Sequence, residues 1–162
     1  MKVTYDSVTS EYLYPLSKSD ITSIRDLVSQ DIWARIRSIR FGCNTKTTQE
    51  GRVVQHGRFY DIRINLCLNN FRSTLLSDKL SYINQISHFG GVVDTNKHIV
   101  SWRLNDAKRY SLFLLLHEIG HILFSANFTS SRRGLDSEEQ WCDNYAVERL
   151  KQFKDLCKTL DS

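Results

Sequence analysis

The architecture of this chain depends on the segment LFLLLHEIGH at residues 112–121. The apolar half of the segment predicts a buried helix over about residues 105–125. Four residues make slightly more than one helical turn, so His117 and His121 project from one face and can share one metal ion. Glu118 is turned about 100° from His117, off the metal axis but near a metal-bound water. The spacing therefore predicts two metal ligands and one proton carrier.

A catalytic zinc site needs a third protein ligand and one open position. Residues 117–121 form an HExxH motif, and its extended form HExxHxxGxxH would supply a third histidine. In this chain Phe124 and Asn127 occupy the positions of the glycine and the third histidine. That arrangement is excluded. The alternative is a carboxylate from a later helix, predicted over about residues 136–156 with Ser137 and Gln140 in capping-box register.

Three acids near the start of this later helix are candidates for the third ligand. At 100° per residue, Glu139 and Asp143 fall on the inward apolar stripe with Ala146. Buried carboxylates are costly unless a cation and hydrogen bonds compensate them. We therefore expect Glu139 to bind zinc and Asp143 to accept a hydrogen bond from the other nitrogen of His117. Glu138 lies off the stripe and is expected to favour the helix dipole; an exposed, metal-free helix end is the alternative.

The two motifs together resemble a known group of enzymes. HEIGH followed by EQWCDNYA at residues 139–146 is similar to the gluzincin pattern of HExxH with a later ExxxD. More narrowly, it resembles the ImmA/IrrE-type metallopeptidases, whose second motif reads roughly E-x-x-A-[ND]-x-F-A, and Phe113 matches that family's phenylalanine before HExxH. The resemblance covers about residues 98–150. Cys142 and Leu114 depart from the family pattern, and the first 95 residues contain no helix-turn-helix.

The resemblance implies an α+β, zincin-like fold, in which a small antiparallel or mixed sheet packs on the HExxH helix and a C-terminal helix. It also implies a Zn²⁺-dependent endopeptidase in which Glu118 is the general base for a zinc-activated water. The substrate would be a specific protein; the family's typical substrate, a DNA-binding repressor, is only weakly implied. The substrate would lie along a sheet edge, for which the hairpin at residues 92–102 is the nearest candidate. The spacing leaves the oxyanion donor open among His98, Tyr110, Arg132 and Arg133.

Hydrophobic periodicity predicts the remaining elements of one domain spanning residues 1–162. We expect helices over about residues 20–31 and 76–89 and a hairpin that joins Val92-Val93 to Ile99-Val100. Alternation at residues 35–41 and 60–68, with a short strand at Val53-Val54, predicts an antiparallel meander.

Composition limits the class of protein. The chain has 162 residues, of which 41% are hydrophobic, too many for an intrinsically disordered protein. No apolar run approaches the roughly 18 residues of a membrane span, and the first residues contain no apolar signal core, so we expect a cytoplasmic protein. The four cysteines form no CxxC pair and are expected to be free thiols in a reducing compartment.

Positive charge is concentrated in residues 33–63, which contain seven Lys or Arg against two acids, a local charge of +5. A solvated sheet face is the simplest interpretation of this region. The concentration of positive charge also suggests an alternative function. In this alternative the protein is a zincin-like binding module with structural zinc, and its basic face contacts nucleic acid or an acidic partner. Glu118 favours the enzyme, because a structural site has no use for a proton carrier.

Overall fold

The computed structural model describes residues 1–43, 49–127 and 135–160, with side chains in the last range from 137 to 153. The fold is α+β. The strands are β1 Lys2–Tyr5, β2 Tyr12–Leu13, β3 Ile36–Phe41, β4 Gly51–His56, β5 Phe59–Ile64, β6 Leu68–Asn69, β7 Arg72–Thr74, β8 Val92–Asp94 and β9 Ile99–Ser101. The α-helices are α1 Lys18–Ser23, α2 Gln30–Arg35, α3 Leu80–His88, α4 Leu104–Asn127 and α5 Leu135–Leu160.

The first sheet is mixed and has the strand order β1-β3-β5-β4. Strands β1, β3 and β5 are parallel, and only β4 is antiparallel to its neighbour β5. The predicted antiparallel meander is therefore wrong, although its three segments are strands. The reason lies in burial: Tyr60, Ile62 and Ile64 of β5 are buried, whereas β4 has no buried residue and takes the edge. The more apolar strand occupies the centre of the sheet.

The second sheet has the order β2-β6-β7-β9-β8, and its pairs are antiparallel. It contains the predicted hairpin, in which Val92 pairs with Ser101 and Asp94 with Ile99. The prediction of one small sheet is therefore wrong, because the described residues form two sheets.

The first predicted helix is interrupted. Ser17 accepts a hydrogen bond from the backbone of Asp20, and the Asp20 side chain accepts one from the backbone of Ser17, a capping box that begins α1 earlier than expected. A 3-10 turn at Arg25–Leu27 follows, and Val28 then adopts an extended backbone. Two short helices replace the single one because Val28 breaks the helical path before α2.

Helices α4 and α5 pack against each other closely at the HExxH segment. A Cβ added to Gly120 would lie 3.1 Å from Cα of Cys142, so the glycine allows the backbone of α5 to approach. The predicted capping box at Ser137 is wrong, because α5 already begins at Leu135. Within the described residues, no helix combines the length and apolarity needed to cross a membrane.

The cysteines differ from the expectation of free thiols. Cys43 and Cys67 form a disulfide, with their Cα atoms 5.3 Å apart. They follow the ends of the parallel strands β3 and β5, which brings them to the same end of the sheet. Cys142 is free and buried as expected, and the side chain of Cys157 lies outside the described residues.

Candidate metal centre

A cleft of about 730 Å³ lies beside α4 and is bordered by α3, β4 and α5. Its lining includes both motif histidines, Glu118 and three acids of α5, which are Glu138, Glu139 and Asp143. Residues 92–102 do not line it, whereas β4 and Tyr60 of β5 do. The hairpin expected to flank the site therefore belongs to the second sheet, and the edge strand of the first sheet takes its place.

His117, His121 and Glu139 come together at this cleft. Nε2 of His117 lies 3.1 Å from Nε2 of His121 and 3.3 Å from Oε2 of Glu139. Nε2 of His121 lies 3.5 Å from Oε1 of Glu139. A tetrahedral ion with bonds of 2.0–2.1 Å separates its ligands by about 3.3 Å, so the triangle has suitable dimensions. These three residues could hold a metal ion.

Each histidine is oriented through its other ring nitrogen. Nδ1 of His117 lies 2.8 Å from Oδ1 of Asp143, and Nδ1 of His121 lies 2.8 Å from Oε1 of Glu138. Since an ionised carboxylate only accepts hydrogen bonds, each contact favours the neutral ring tautomer with its proton on Nδ1, in which Nε2 is free to bind a metal. The contact with Asp143 is the one that the helical spacing predicts.

The contact between Glu138 and His121 was not predicted, because the helical spacing assigned Glu138 to the helix dipole alone. The sequence does contain a signal for this contact, because each of two metal-binding histidines requires a partner that orients its ring. Only Asp143 was assigned such a role, which left His121 without an acceptor.

The acids around the histidines favour positive charge. Burial lowers the pKa of His117, but its hydrogen bond to Asp143 and the charges of Glu118 and Glu139 outweigh burial and raise the pKa overall. The same acids would favour a bound cation.

Glu118 is buried and lines the cleft next to the histidine pair. Burial raises the pKa of Glu118 to about 7, while the neighbouring histidines oppose the rise. A carboxyl group with a pKa near neutral pH can both accept and return a proton.

Neither of the two described candidates for an oxyanion donor lines this site. Tyr110 is fully buried and donates a hydrogen bond to Glu50. His98 is exposed in the turn between β8 and β9, 3.6 Å from Asp78, and is absent from the lining of the cleft. The other two candidates, Arg132 and Arg133, lie outside the described residues.

A second buried carboxyl group was not predicted. Glu50 precedes β4, borders the cleft and accepts the hydroxyl hydrogen bond of Tyr110. The hydroxyl of Tyr82 is buried near the same carboxyl group. Burial raises the pKa of Glu50 to about 7, and the hydrogen bond from Tyr110 limits the rise. Its position next to Gly51, before an alternating strand, gave no signal that the side chain points inward.

No family model, curated protein or solved structure matches this chain. The resemblance to ImmA/IrrE-type peptidases therefore depends on the two motifs. The structure adds geometry, since two histidines of α4 and one acid of α5 meet at distances that suit one ion.

Proposed function

We propose that this protein is a zinc-dependent endopeptidase with a zincin-like fold, related to the ImmA/IrrE type. The observation that carries the proposal is the triangle of His117, His121 and Glu139, with Glu118 buried beside it in an open cleft. Two imidazoles and one carboxylate are a ligand set of catalytic zinc, which leaves one coordination position for water or substrate.

The residues of the site divide the work of hydrolysis. Zinc held by the three ligands would lower the pKa of a bound water to about 7 and polarise a peptide carbonyl. Glu118 accepts the proton of the attacking water and returns it to the leaving amine. Asp143 and Glu138 hold the two imidazoles in the tautomer that directs Nε2 into the cleft.

The proposed substrate is a protein segment in extended conformation. Strand β4 hydrogen-bonds to β5 and occupies the edge of its sheet, and Gly51, Arg52, Val53 and Gln55 line the cleft. The free backbone groups of an edge strand can pair with an added peptide strand. A DNA-binding repressor as the substrate remains an implication of the resemblance.

The alternative, a binding module with structural zinc and a basic face, is less well supported. Arg37 pairs with Asp61, and Asp6 pairs with Arg40 at 2.5 Å and with Arg63 at 3.5 Å. Three of the seven basic residues in positions 33–63 are thus partly neutralised by acids of the same surface. A DNA mobility shift that is sensitive to salt but not to chelator would favour the binding module.

The test of the enzyme combines metal analysis with a search for cleaved proteins. Wild type and Glu118→Gln should contain equal zinc by mass spectrometry, whereas His117→Ala should lose it. When cell proteins are incubated with each enzyme, at least one protein should be cleaved by the wild type and left intact by Glu118→Gln. If zinc-loaded wild type cleaves no protein that Glu118→Gln leaves intact, the proposal is contradicted.

A further inference from the structure

The backbone that leads into β4 is anchored to both the sheet and α4. The carbonyl oxygen of Glu50 accepts a hydrogen bond from the backbone of Asn65 at 2.6 Å, and the side chain of Asn65 donates to the carbonyl of Gln49 at 3.1 Å. The carboxyl group of Glu50 accepts the hydrogen bond of Tyr110 from α4. Residues 49–51, which we call the β4 corner, are therefore fixed relative to the HExxH helix.

Gly51, the last residue of the β4 corner, lies against Glu118. A Cβ added to Gly51 would stand 2.2 Å from Oε1, 2.8 Å from Cδ and 3.0 Å from Cγ of Glu118. Every one of these separations is far below the roughly 3.5–4.0 Å of an ordinary carbon contact. Any side chain at position 51 would occupy the space of the carboxylate.

The glycine is required by space and not by backbone conformation. Gly51 pairs with Ile64 in the regular antiparallel ladder, and its φ is outside the left-handed region that favours glycine. Alanine would thus be tolerated by the strand itself. It would act on Glu118, a flexible side chain that can move away at low cost to the fold.

We propose that Gly51 is a positioning residue for the proposed reaction: by lacking a side chain, it lets the β4 corner hold the Glu118 carboxylate in its direction toward the metal centre. The hydrogen bond between Glu50 and Tyr110 keeps the backbone of Gly51 at that distance. The role rests on the proposed function of Glu118 as proton carrier. The geometry of the contact can be tested independently of activity.

The first experiment compares crystal structures of zinc-loaded wild type, Gly51→Ala and the control Val54→Ala. Val54 lies on the same strand, is half-buried and is absent from the cleft lining. In Gly51→Ala the Glu118 carboxylate should move by more than about 1 Å to restore a normal contact distance. The positions of His117, His121 and Glu139 should not change, and neither should the Glu118 carboxylate in Val54→Ala.

The second experiment measures kcat and KM on a fluorogenic peptide selected from a random-sequence mixture by cleavage with wild type. A displacement of about 1 Å can cost on the order of 100-fold in rate, so Gly51→Ala should lower kcat by about that factor. Zinc content, KM and thermal stability should remain those of the wild type. A merely structural role of Gly51 would instead lower stability.

A double-mutant cycle identifies the partner of Gly51. Glu118→Asp withdraws the carboxylate by one methylene, which makes room for an alanine at position 51. The combined loss in Gly51→Ala/Glu118→Asp should therefore be smaller than the product of the single losses. Independent, multiplicative losses would overturn the proposal.

The structural experiment decides the inference even without a substrate. If zinc-loaded wild type cleaves neither a peptide nor a cell protein, the proposed function fails and the role of Gly51 in catalysis fails with it, whereas a displaced carboxylate in Gly51→Ala still shows that Gly51 sets the position of the Glu118 side chain. If wild type is active but the Glu118 carboxylate stays in place in Gly51→Ala, the positioning role is wrong and the proposed function stands.

Discussion

Glu138 accepts a hydrogen bond from Nδ1 of His121 at 2.8 Å, a contact that parallels the one between Asp143 and His117. The two acids lie on α5 and the two histidines on α4. Because Glu139 completes the triangle from the same helix, α5 would supply one ligand and both orienting groups of the proposed metal centre. The geometry of this candidate metal centre thus depends on the packing of two helices.

We expect Glu138→Ala to weaken zinc binding about 10- to 100-fold, as is typical for loss of an acid that orients a ligating histidine. The affinity is measured by competition with a chromophoric chelator. Gln140→Ala is the matched control, since Gln140 is exposed on the same turn and contacts Asn144 instead of a histidine. Unchanged affinity in Glu138→Ala would show that this contact does not support the site.

Gly120→Val should separate the two helices. The added side chain meets the backbone and side chain of Cys142, because even a Cβ would lie only 3.1–3.2 Å from them. Overpacking of this kind costs about 1–3 kcal/mol, and zinc affinity should fall with it because Glu139 retreats from the histidines. Urea unfolding and zinc titration measure the two effects.

Ala126→Val provides the comparison for Gly120→Val, because Ala126 is exposed on the same helix. It should leave zinc affinity unchanged. Equal effects of the two substitutions would rule out interhelical packing as the cause.

Glu50 should make stability depend on pH. Its pKa is raised from 4.5 to about 7 in the folded protein, so the folded state holds the proton more tightly than the unfolded state between these values. Below about pH 4.5 both states are protonated; as pH rises through 7, the wild type loses on the order of 3 kcal/mol relative to Glu50→Gln. Urea unfolding of both proteins from pH 4 to 8 measures the difference. A difference that is constant with pH would mean that the pKa of Glu50 is the same in the folded and unfolded states.

Reduction of the Cys43–Cys67 disulfide should destabilise the protein. The bond closes a loop with a sequence separation of 24 residues, for which chain entropy gives about 3 kcal/mol at 25 °C. The midpoint of urea unfolding should therefore fall when a reductant is added. The double variant Cys43→Ser/Cys67→Ser should have the lower midpoint without reductant, and adding reductant should not change it. If reductant lowers the midpoint of this variant, the loss of stability comes from a group other than the disulfide.

The local elements of the fold could be predicted where the pattern is regular and long. The helix containing HEIGH and the hairpin of β8 and β9 follow from hydrophobic periodicity, and the structure confirms both. Strand order could not be predicted, because the sequence does not state that β5 would enter between β3 and β4. For the same reason the pairing of Cys43 with Cys67 was not foreseen.

The site was predictable where the helical period controls it. The spacing of His117 and His121 is a property of one helix, so a helical wheel is sufficient to find it. The wheel also predicts that Glu139 and Asp143 lie on a buried stripe, but the Glu139 side chain is exposed and Asp143 is only half-buried, so that burial prediction is wrong. The contact between Gly51 and Glu118 joins two segments 67 positions apart in sequence. Only the packing of the edge strand against α4 brings it about.

The most direct test of the central claim is the zinc content of Glu139→Ala beside wild type and Glu148→Ala, measured by native mass spectrometry. Glu148 is an exposed acid on the same helix and serves as the control. We predict one zinc per chain in wild type and in Glu148→Ala, and its loss in Glu139→Ala. Full retention of zinc by Glu139→Ala would contradict the proposed metal centre.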